Sequence, residues 1–366
     1  MCGSGKAGSK TDGQILAAVR VGLQTDLGAP VAEIEVDRTI RRHSSTVMAC
    51  RVRFADGEQR AIWVKVLHGL GEAVRENVNR TQRDFHLSGF LCERLGRNGM
   101  LRVPRVLHCS ATDRLIVTEH VPGERLQNQL QALPMIRGRQ AAGERLRESF
   151  RRSGVWLRAF QDVTEGFCPG GGTTAEPVQA KGLGRITEQT RERLWAAADA
   201  DPVVLSPARV ERLVAYLERL YADAISREAP HCAVHGDFFP GNLLVGTDTV
   251  AGIDFSSATW GSRFFDLGYF VFQVETFFQL KPLASGLARD LVDEFLRGFG
   301  LQQRAETFWA SSPEMRLVFM SLGASRLLAL THQRPGKAWY KRRYRAIAAR
   351  RLSRRLVSLA DDVTLT

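Results

Sequence analysis

The residues best suited to chemistry lie in one segment, His235 to Phe255, which reads HGDFFPGNLLVGTDTVAGIDF. Leu243 to Val245 and Val250 to Ile253 are short apolar runs around Gly246-Thr247-Asp248-Thr249, the pattern of a β-hairpin. A hairpin centred near residue 248 sets Asn242 opposite Asp254 at its open end. An amide carbonyl and a carboxylate held side by side are hard oxygen ligands, the type that suits Mg²⁺. Asp237 precedes Asn242 in a sharp loop punctuated by Gly236, Pro240 and Gly241, which returns a second carboxylate to the same end. Two carboxylates and an amide converging on one point can hold a metal and accept a proton. An Asp-rich loop that merely caps a helix and a hairpin is the plain alternative.

These groups need a scaffold. Gln14 to Leu27 reads as a short amphipathic helix, followed by strands at Val31 to Ile40, Val47 to Phe54 and Arg60 to Leu67. The turn Ala55-Asp56-Gly57-Glu58 joins the second and third. Glu72 to Leu95 is helical, with Val74, Val78, Phe85, Phe90, Leu91 and Leu95 turned inward, and two more strands follow at Arg102 to Leu107 and Leu115 to His120. Beyond Val121-Pro122-Gly123, helical periodicity dominates: Arg137 to Gln161, Pro207 to Ser226 with Ser206 as its cap, Asp266 to Phe278, Leu287 to Gly298, Pro313 to Leu330, and a basic terminal helix. Pro169 to Gly184, rich in Gly, Thr and Pro, reads as a loop. The expected fold is α+β, a small antiparallel-sheet lobe with one packed helix and a larger, mainly helical lobe. Residues 1–12 are a tail by composition, 13–120 the sheet lobe, 121–123 a hinge and 124–366 the helical lobe.

The run His235-Gly236-Asp237-Phe238-Phe239-Pro240-Gly241-Asn242, followed by Ile253-Asp254-Phe255 and Asp266-Leu267-Gly268, resembles the aminoglycoside phosphotransferase/choline kinase family across roughly residues 30 to 330. The resemblance implies a protein-kinase-like fold and an enzyme that moves the γ-phosphate of ATP, with Mg²⁺, to a hydroxyl of a small molecule. It makes Asp237 the catalytic base and Asn242 and Asp254 the metal ligands, as in the kinase pattern of a catalytic-loop Asp, an Asn five residues on, and a later Asp before Phe. Asp266 then braces the catalytic loop through hydrogen bonds. His235 packs and hydrogen-bonds within the loop without direct chemistry.

A kinase also needs a cation over the phosphates. Lys65, in Ala61-Ile62-Trp63-Val64-Lys65-Val66-Leu67, resembles the kinase third-strand lysine. Strand alternation groups it with Trp63 and Leu67, where an unsatisfied ammonium is costly. It either binds phosphate or snorkels from an edge strand. The family's carboxylate partner falls at Asp84, one methylene shorter than the usual Glu, with Glu76 as a rival. Thr118 to Gly123 resembles the lobe connector, so backbone at Glu119 and Val121 is expected to bond the adenine edge. The phosphate-covering loop falls at Arg42-His43-Ser44-Ser45-Thr46. It lacks glycine, and Ser44, Ser45 and Thr46 either donate to phosphate oxygens or form an ordinary polar turn.

Composition bounds the alternatives. The 44% hydrophobic and 25% charged content is that of a globular chain. The longest apolar stretch, Leu317 to Leu330, is broken by Arg326, and the N-terminus has no apolar secretory core. GSGK near that terminus fails phosphate-loop spacing because Ala7 follows Lys6. Six scattered cysteines form no close pair, which points to a reducing compartment and a cytoplasmic chain. The net charge of +12 raises nucleic acid as a partner, although its arginines are spread out. They concentrate only in Lys341 to Arg355, where Tyr344, Ile347, Ala348, Leu352 and Leu356 form one stripe: a docked helix, or an anion-binding surface. The sequence thus predicts a small-molecule kinase, with a catalytically silent binder of nucleotide or partner as the alternative; His-Gly-Asp in place of His-Arg-Asp argues against a protein substrate. Acceptor identity is not legible. Glu275, Asp290, Asp293 and Glu294 are candidates for an acidic pocket that would take a polycation.

Overall fold

The computed structural model describes residues 11–42, 44–68, 72–96, 99–133, 139–165, 178–226, 231–278, 285–332 and 339–361. Most of the expected N-terminal tail therefore lies outside the described residues. Helix α1 (Asp12–Leu27) opens on a reciprocal cap, in which Thr11 Oγ1 accepts from the Gln14 amide and the Gln14 side chain accepts from the Thr11 amide. Strands β1 (Val31–Arg41), β2 (Ser45–Phe54) and β3 (Gln59–Leu67) follow, then helix α2 (Glu72–Leu95), β4 (Leu101–Arg102), β5 (Val106–Ser110) and β6 (Leu115–Glu119). The first sheet is antiparallel, in the order β1-β2-β3-β6-β5. Ile15, Val19 and Leu23 of α1 pack on Met48, Val52, Ile62, Val64 and Val66. Period-2 alternation then leaves Trp63 and Lys65 on the opposite face of β3.

Pro104, which has no amide to give a ladder, splits the single strand expected at Arg102 to Leu107. Its first part, β4, runs parallel to the strand Val250–Gly252 in a second sheet, which continues through Leu243–Val245 to Glu124–Arg125. Helix α2 also departs from the apolar reading. Phe85 is 38% exposed, whereas Asn77, Thr81, Asp84 and Ser88 form a buried polar row ending at Leu91. The inward face of α2 is therefore polar in its first turns, and apolar periodicity misplaces Phe85, whereas Leu91 is buried and Phe90 and Leu95 pack against the core as expected.

Beyond the connector come β7 (Glu124–Arg125), α3 (Leu126–Gln131), α4 (Arg139–Val163), α5 (Val178–Ala200), α6 (Pro207–Ile225), β8 (His231–Val234), β9 (Leu243–Val245), β10 (Val250–Gly252), β11 (Thr259–Ser262), α7 (Phe264–Phe278), α8 (Ser285–Phe299), α9 (Ala305–Phe308), α10 (Pro313–Thr331) and α11 (Trp339–Asp361). Residues 169–177 of the expected loop lie outside the described residues, but α5 begins within its remainder. Ser206 precedes α6 with no side-chain cap bond, so Pro207 at the first turn marks that start. On α11, Ile347 is 45% exposed, while Ala348, Ala349, Leu352, Ser353 and Leu356 are buried; the docked stripe is rotated from the expected one.

The helical lobe is built on an aromatic layer. Trp156 of α4 stacks on Phe160 (5.4 Å) and Phe238 (5.7 Å) and lies 6.2 Å from Phe255. Gly252 lets that indole approach β10, since a Cβ there would sit 2.2 Å from it. Phe238 and Phe255 thus anchor the two loops that carry Asp237 and Asp254. Among the described residues, no helix is long and apolar enough to cross a membrane.

Candidate functional site

Strand β8 delivers His235 into a turn at Gly236, which has φ 78° and would place a Cβ 2.4 Å from the Ser257 carbonyl oxygen. Both demands select glycine. The amides of His235 and Gly236 donate to the two oxygens of Asp266, at 2.6 and 3.0 Å. Asp266 is fully buried in the first turn of α7. Burial pushes its pKa up to about 7, against the pull of the two amides. The His235 ring is also buried, which lowers its pKa to about 4 and leaves it neutral. Its Nε2 lies 3.1 Å from the Ile253 carbonyl, so the imidazole pins the Asp237 loop to the strand leading into Asp254.

Asn242 closes a short 3₁₀ turn from Pro240. Its Nδ2 donates to the Asp237 carbonyl (2.9 Å) and to Asp237 Oδ2 (3.0 Å). The Tyr269 hydroxyl donates to Asp237 Oδ1 at 3.0 Å. Burial raises the pKa of Asp237, with Tyr269 opposing. Sequence reasoning missed Tyr269, which lies 32 residues downstream among other aromatics.

The hairpin corrects the expected register. Leu243 pairs with Gly252 and Val245 with Val250, so the turn is centred between Thr247 and Asp248. Asn242 consequently faces Ile253, whose amide donates to its carbonyl at 3.0 Å. Asp254 stands one residue further on and adopts left-handed backbone, φ 69° and ψ 68°. That conformation compensates for the slip, because a further extended residue would send its side chain to the opposite face.

Lys65 Nζ lies 2.5 Å from Asp254 Oδ1 and 3.6 Å from Asp84 Oδ2. Burial alone would lower its pKa, but the two carboxylates hold it above the ordinary value. Burial would likewise raise Asp254, yet Lys65 and the Ser256 hydroxyl (2.7 Å) hold it well below the usual carboxylate range. Burial dominates at Asp84, whose pKa is raised with Lys65 opposing. Asp84 Oδ1 also accepts from the Phe255 amide at 3.0 Å. Glu76 is exposed and pairs with Arg83 at 2.6 Å, so of the two rivals the fold brings Asp84 to Lys65.

On the nucleotide side, His43 lies outside the described residues. Ser45 and Thr46 belong to β2 and are buried, and the Thr46 hydroxyl lies 2.8 Å from His68 Nε2. The Thr46 hydroxyl is therefore already partnered within the fold; of the three expected donors only Ser44 is exposed. The Glu119 amide donates to the Arg105 carbonyl at 2.8 Å, which leaves that residue only its carbonyl for a ligand. Val121 is buried beside it. Arg125, overlooked in the sequence, is half-buried opposite Leu244; burial and Arg42 lower its pKa, and Asp254 pulls the other way.

The donor set fits a magnesium ion. With Nδ2 of Asn242 spent twice on Asp237, its carbonyl oxygen is the side-chain atom left for a ligand. Asp254 has Oδ1 committed to Lys65 and Ser256, and its other oxygen is hard and anionic. No cluster of three or more His, Cys, Asp or Glu occurs among the described residues, so an ion held here would complete its shell with phosphate and water. The four acidic residues considered for a polycation pocket are engaged. Glu275 binds Arg355 (2.6 Å), Asp290 binds Arg147 (2.7 Å), Glu294 binds Arg297 (2.8 Å), and Asp293 accepts the Ala305 amide (2.7 Å).

Solved structures share this architecture. A thermostable mutant of aminoglycoside phosphotransferase APH(4)-Ia, in ternary complex with AMP-PNP and hygromycin B, aligns with a TM-score of 0.51 at 17% identity, covering 93% of this chain and 98% of that one. The streptomycin-ATP-APH(2")-IIa ternary complex gives 0.50 at 11% identity, covering 96% and 99%. The fold is thus the two-lobed protein-kinase-like one. No curated protein matches the chain by sequence. The family model described as the phosphotransferase enzyme family matches residues 56–306, well over half of the sequence, and the chain belongs to that family.

Proposed function

We propose that this protein transfers the γ-phosphate of ATP to a hydroxyl of a small molecule, using Mg²⁺. The observation that carries the reading is Asp237, a half-buried carboxylate oriented from both sides by Asn242 and Tyr269. A general base must be held at a fixed point to be useful, and this one is. Asn242 Oδ1 and Asp254 would hold the ion. When bound, Mg²⁺ supplies neutralisation of the phosphate charge. Lys65, already protonated between two carboxylates, adds a cation beside them. The Glu119 carbonyl and Val121 amide would take the adenine edge, and Ser44 is the exposed hydroxyl of the covering turn.

In the transfer, the acceptor oxygen bonds to the γ-phosphorus as the bond to the β–γ bridging oxygen breaks. ADP leaves, and the hydroxyl proton passes to Asp237. The structures of APH(4)-Ia with AMP-PNP and of APH(2")-IIa with ATP support nucleotide use in this fold. The test is ADP release with Mg²⁺ and a panel of hydroxyl compounds, comparing wild type with Asp237→Ala. Transfer should fall by about 10²–10⁴ with ATP affinity nearly intact, because a base acts mainly in the transition state. Equal turnover by both proteins overturns the assignment.

A further inference from the structure

The Tyr269 hydroxyl that holds Asp237 belongs to a stacked pair. Its ring lies 6.2 Å from that of Phe265, one turn earlier on α7, with the planes 7° from parallel. Both rings are half-buried on a helix whose Leu267, Phe270, Val271 and Val274 are fully buried. Gln273, a further turn along, is half-buried in line with them.

Position follows from the chemistry, on the reading that Asp237 is the base. An acceptor oxygen that gives its proton to Asp237 must come within about 3.2 Å of that carboxylate. Tyr269 Oη already lies 3.0 Å from the same group. The two oxygens therefore sit within about 8 Å of each other, each at hydrogen-bond range of one carboxylate. The body attached to the acceptor oxygen then has the Phe265–Tyr269 pair as a neighbouring wall, and that wall is aromatic and uncharged. Charge selects further. Glu275, the next acidic residue on the helix, is taken by Arg355 and by Trp309 Nε1 at 3.0 Å. Asp290, Asp293 and Glu294 of α8 are likewise engaged, as described above. A polycation would have to break these pairs in a chain of net charge +12.

We infer that the phosphate acceptor is an uncharged alcohol with a flat apolar portion, and that the Phe265–Tyr269 stack is the platform it lies on. Flat apolar ligands gain from such a surface by dispersion and offset stacking.

The experiment is titration calorimetry with Mg·AMP-PNP present and three probes: p-nitrophenyl β-D-glucopyranoside, glucose and kanamycin. The aryl glucoside should bind about tenfold or more tightly than glucose, the increment expected of one aromatic contact with its buried area. It should also outbind kanamycin. Phe265→Ala should remove the aryl preference, and Phe265→Leu, which keeps an apolar core contact without the ring, should do the same in a chain that still folds. Kanamycin binding more tightly, retention of the aryl preference in Phe265→Leu, or binding of no probe overturns the inference. Asp237-dependent ADP release is measured separately, so failure here is distinguishable from failure of the kinase reading.

Discussion

Replacing Asp266 with Asn probes the bond that shapes the Asp237 loop. The carboxylate is fully buried, and its pKa rises from an ordinary 3.8 to about 7. Across that interval the folded chain holds the proton more tightly than the unfolded chain. A raised acid contributes stability that is complete below pH 4 and lost as pH climbs through 7. At about 1.4 kcal/mol per unit, the full span is worth roughly 4 kcal/mol, of which more than half falls between pH 5 and pH 8. Asn does not titrate, so its variant lacks this dependence. It keeps one acceptor oxygen and turns an NH₂ toward the other loop amide, at a cost of about 1–3 kcal/mol. Wild type should therefore lead the variant at pH 5, and the gap should close by roughly 2–3 kcal/mol or reverse at pH 8. Urea denaturation of both proteins at the two pH values reads this directly. A gap that stays constant or widens with pH would show the two amide donors outweighing burial, and the reasoning would fail.

Three further outcomes are expected. Asp254→Ala should abolish the Mg²⁺-dependent part of ATP affinity, read by calorimetry with and without the metal; unchanged Mg·ATP binding contradicts the metal assignment. Lys65→Met leaves Asp84 buried without its cation and should cost about 3 kcal/mol in chemical denaturation, with part recovered by adding Asp84→Asn. If the double variant is no more stable than the single, the two residues are not coupled. Gly252→Ala drives a methyl into Trp156 and should destabilise the chain by about 1–3 kcal/mol while shifting its tryptophan fluorescence; a neutral result means that the aromatic layer yields easily.

The parts of the site legible in the sequence are those encoded by short separations. Asp237 and Asn242 are joined by one loop, and Asn242 and Asp254 by one hairpin, so turn residues sufficed to bring them together. Register was harder: placing the turn half a residue early or late decides whether Asn242 faces Ile253 or Asp254, and composition does not resolve that. The inward face of α2 was misassigned for a physical reason. Asp84 points inward to Lys65 and the Phe255 amide with Ser88 bonded to it, and Asn77 points inward to the His68 carbonyl, so polar contacts override apolar periodicity there. Tyr269 carried no signal, since one hydroxyl in Phe-Phe-Asp-Leu-Gly-Tyr-Phe looks like core filler. The start of α5 was hidden by the glycines and threonines before it.

The left-handed backbone of Asp254 has an evolutionary consequence. Stereochemistry alone would prefer glycine at φ 69°, so this carboxylate stands against the conformational preference of its own main chain. Any Asp codon reaches a Gly codon by a single base change, and that change would relax the torsion while deleting both the anion and its bond to Lys65. A lineage freed from selection for turnover thus has a short, unstrained route to a nucleotide-pocket protein that no longer works as a catalyst.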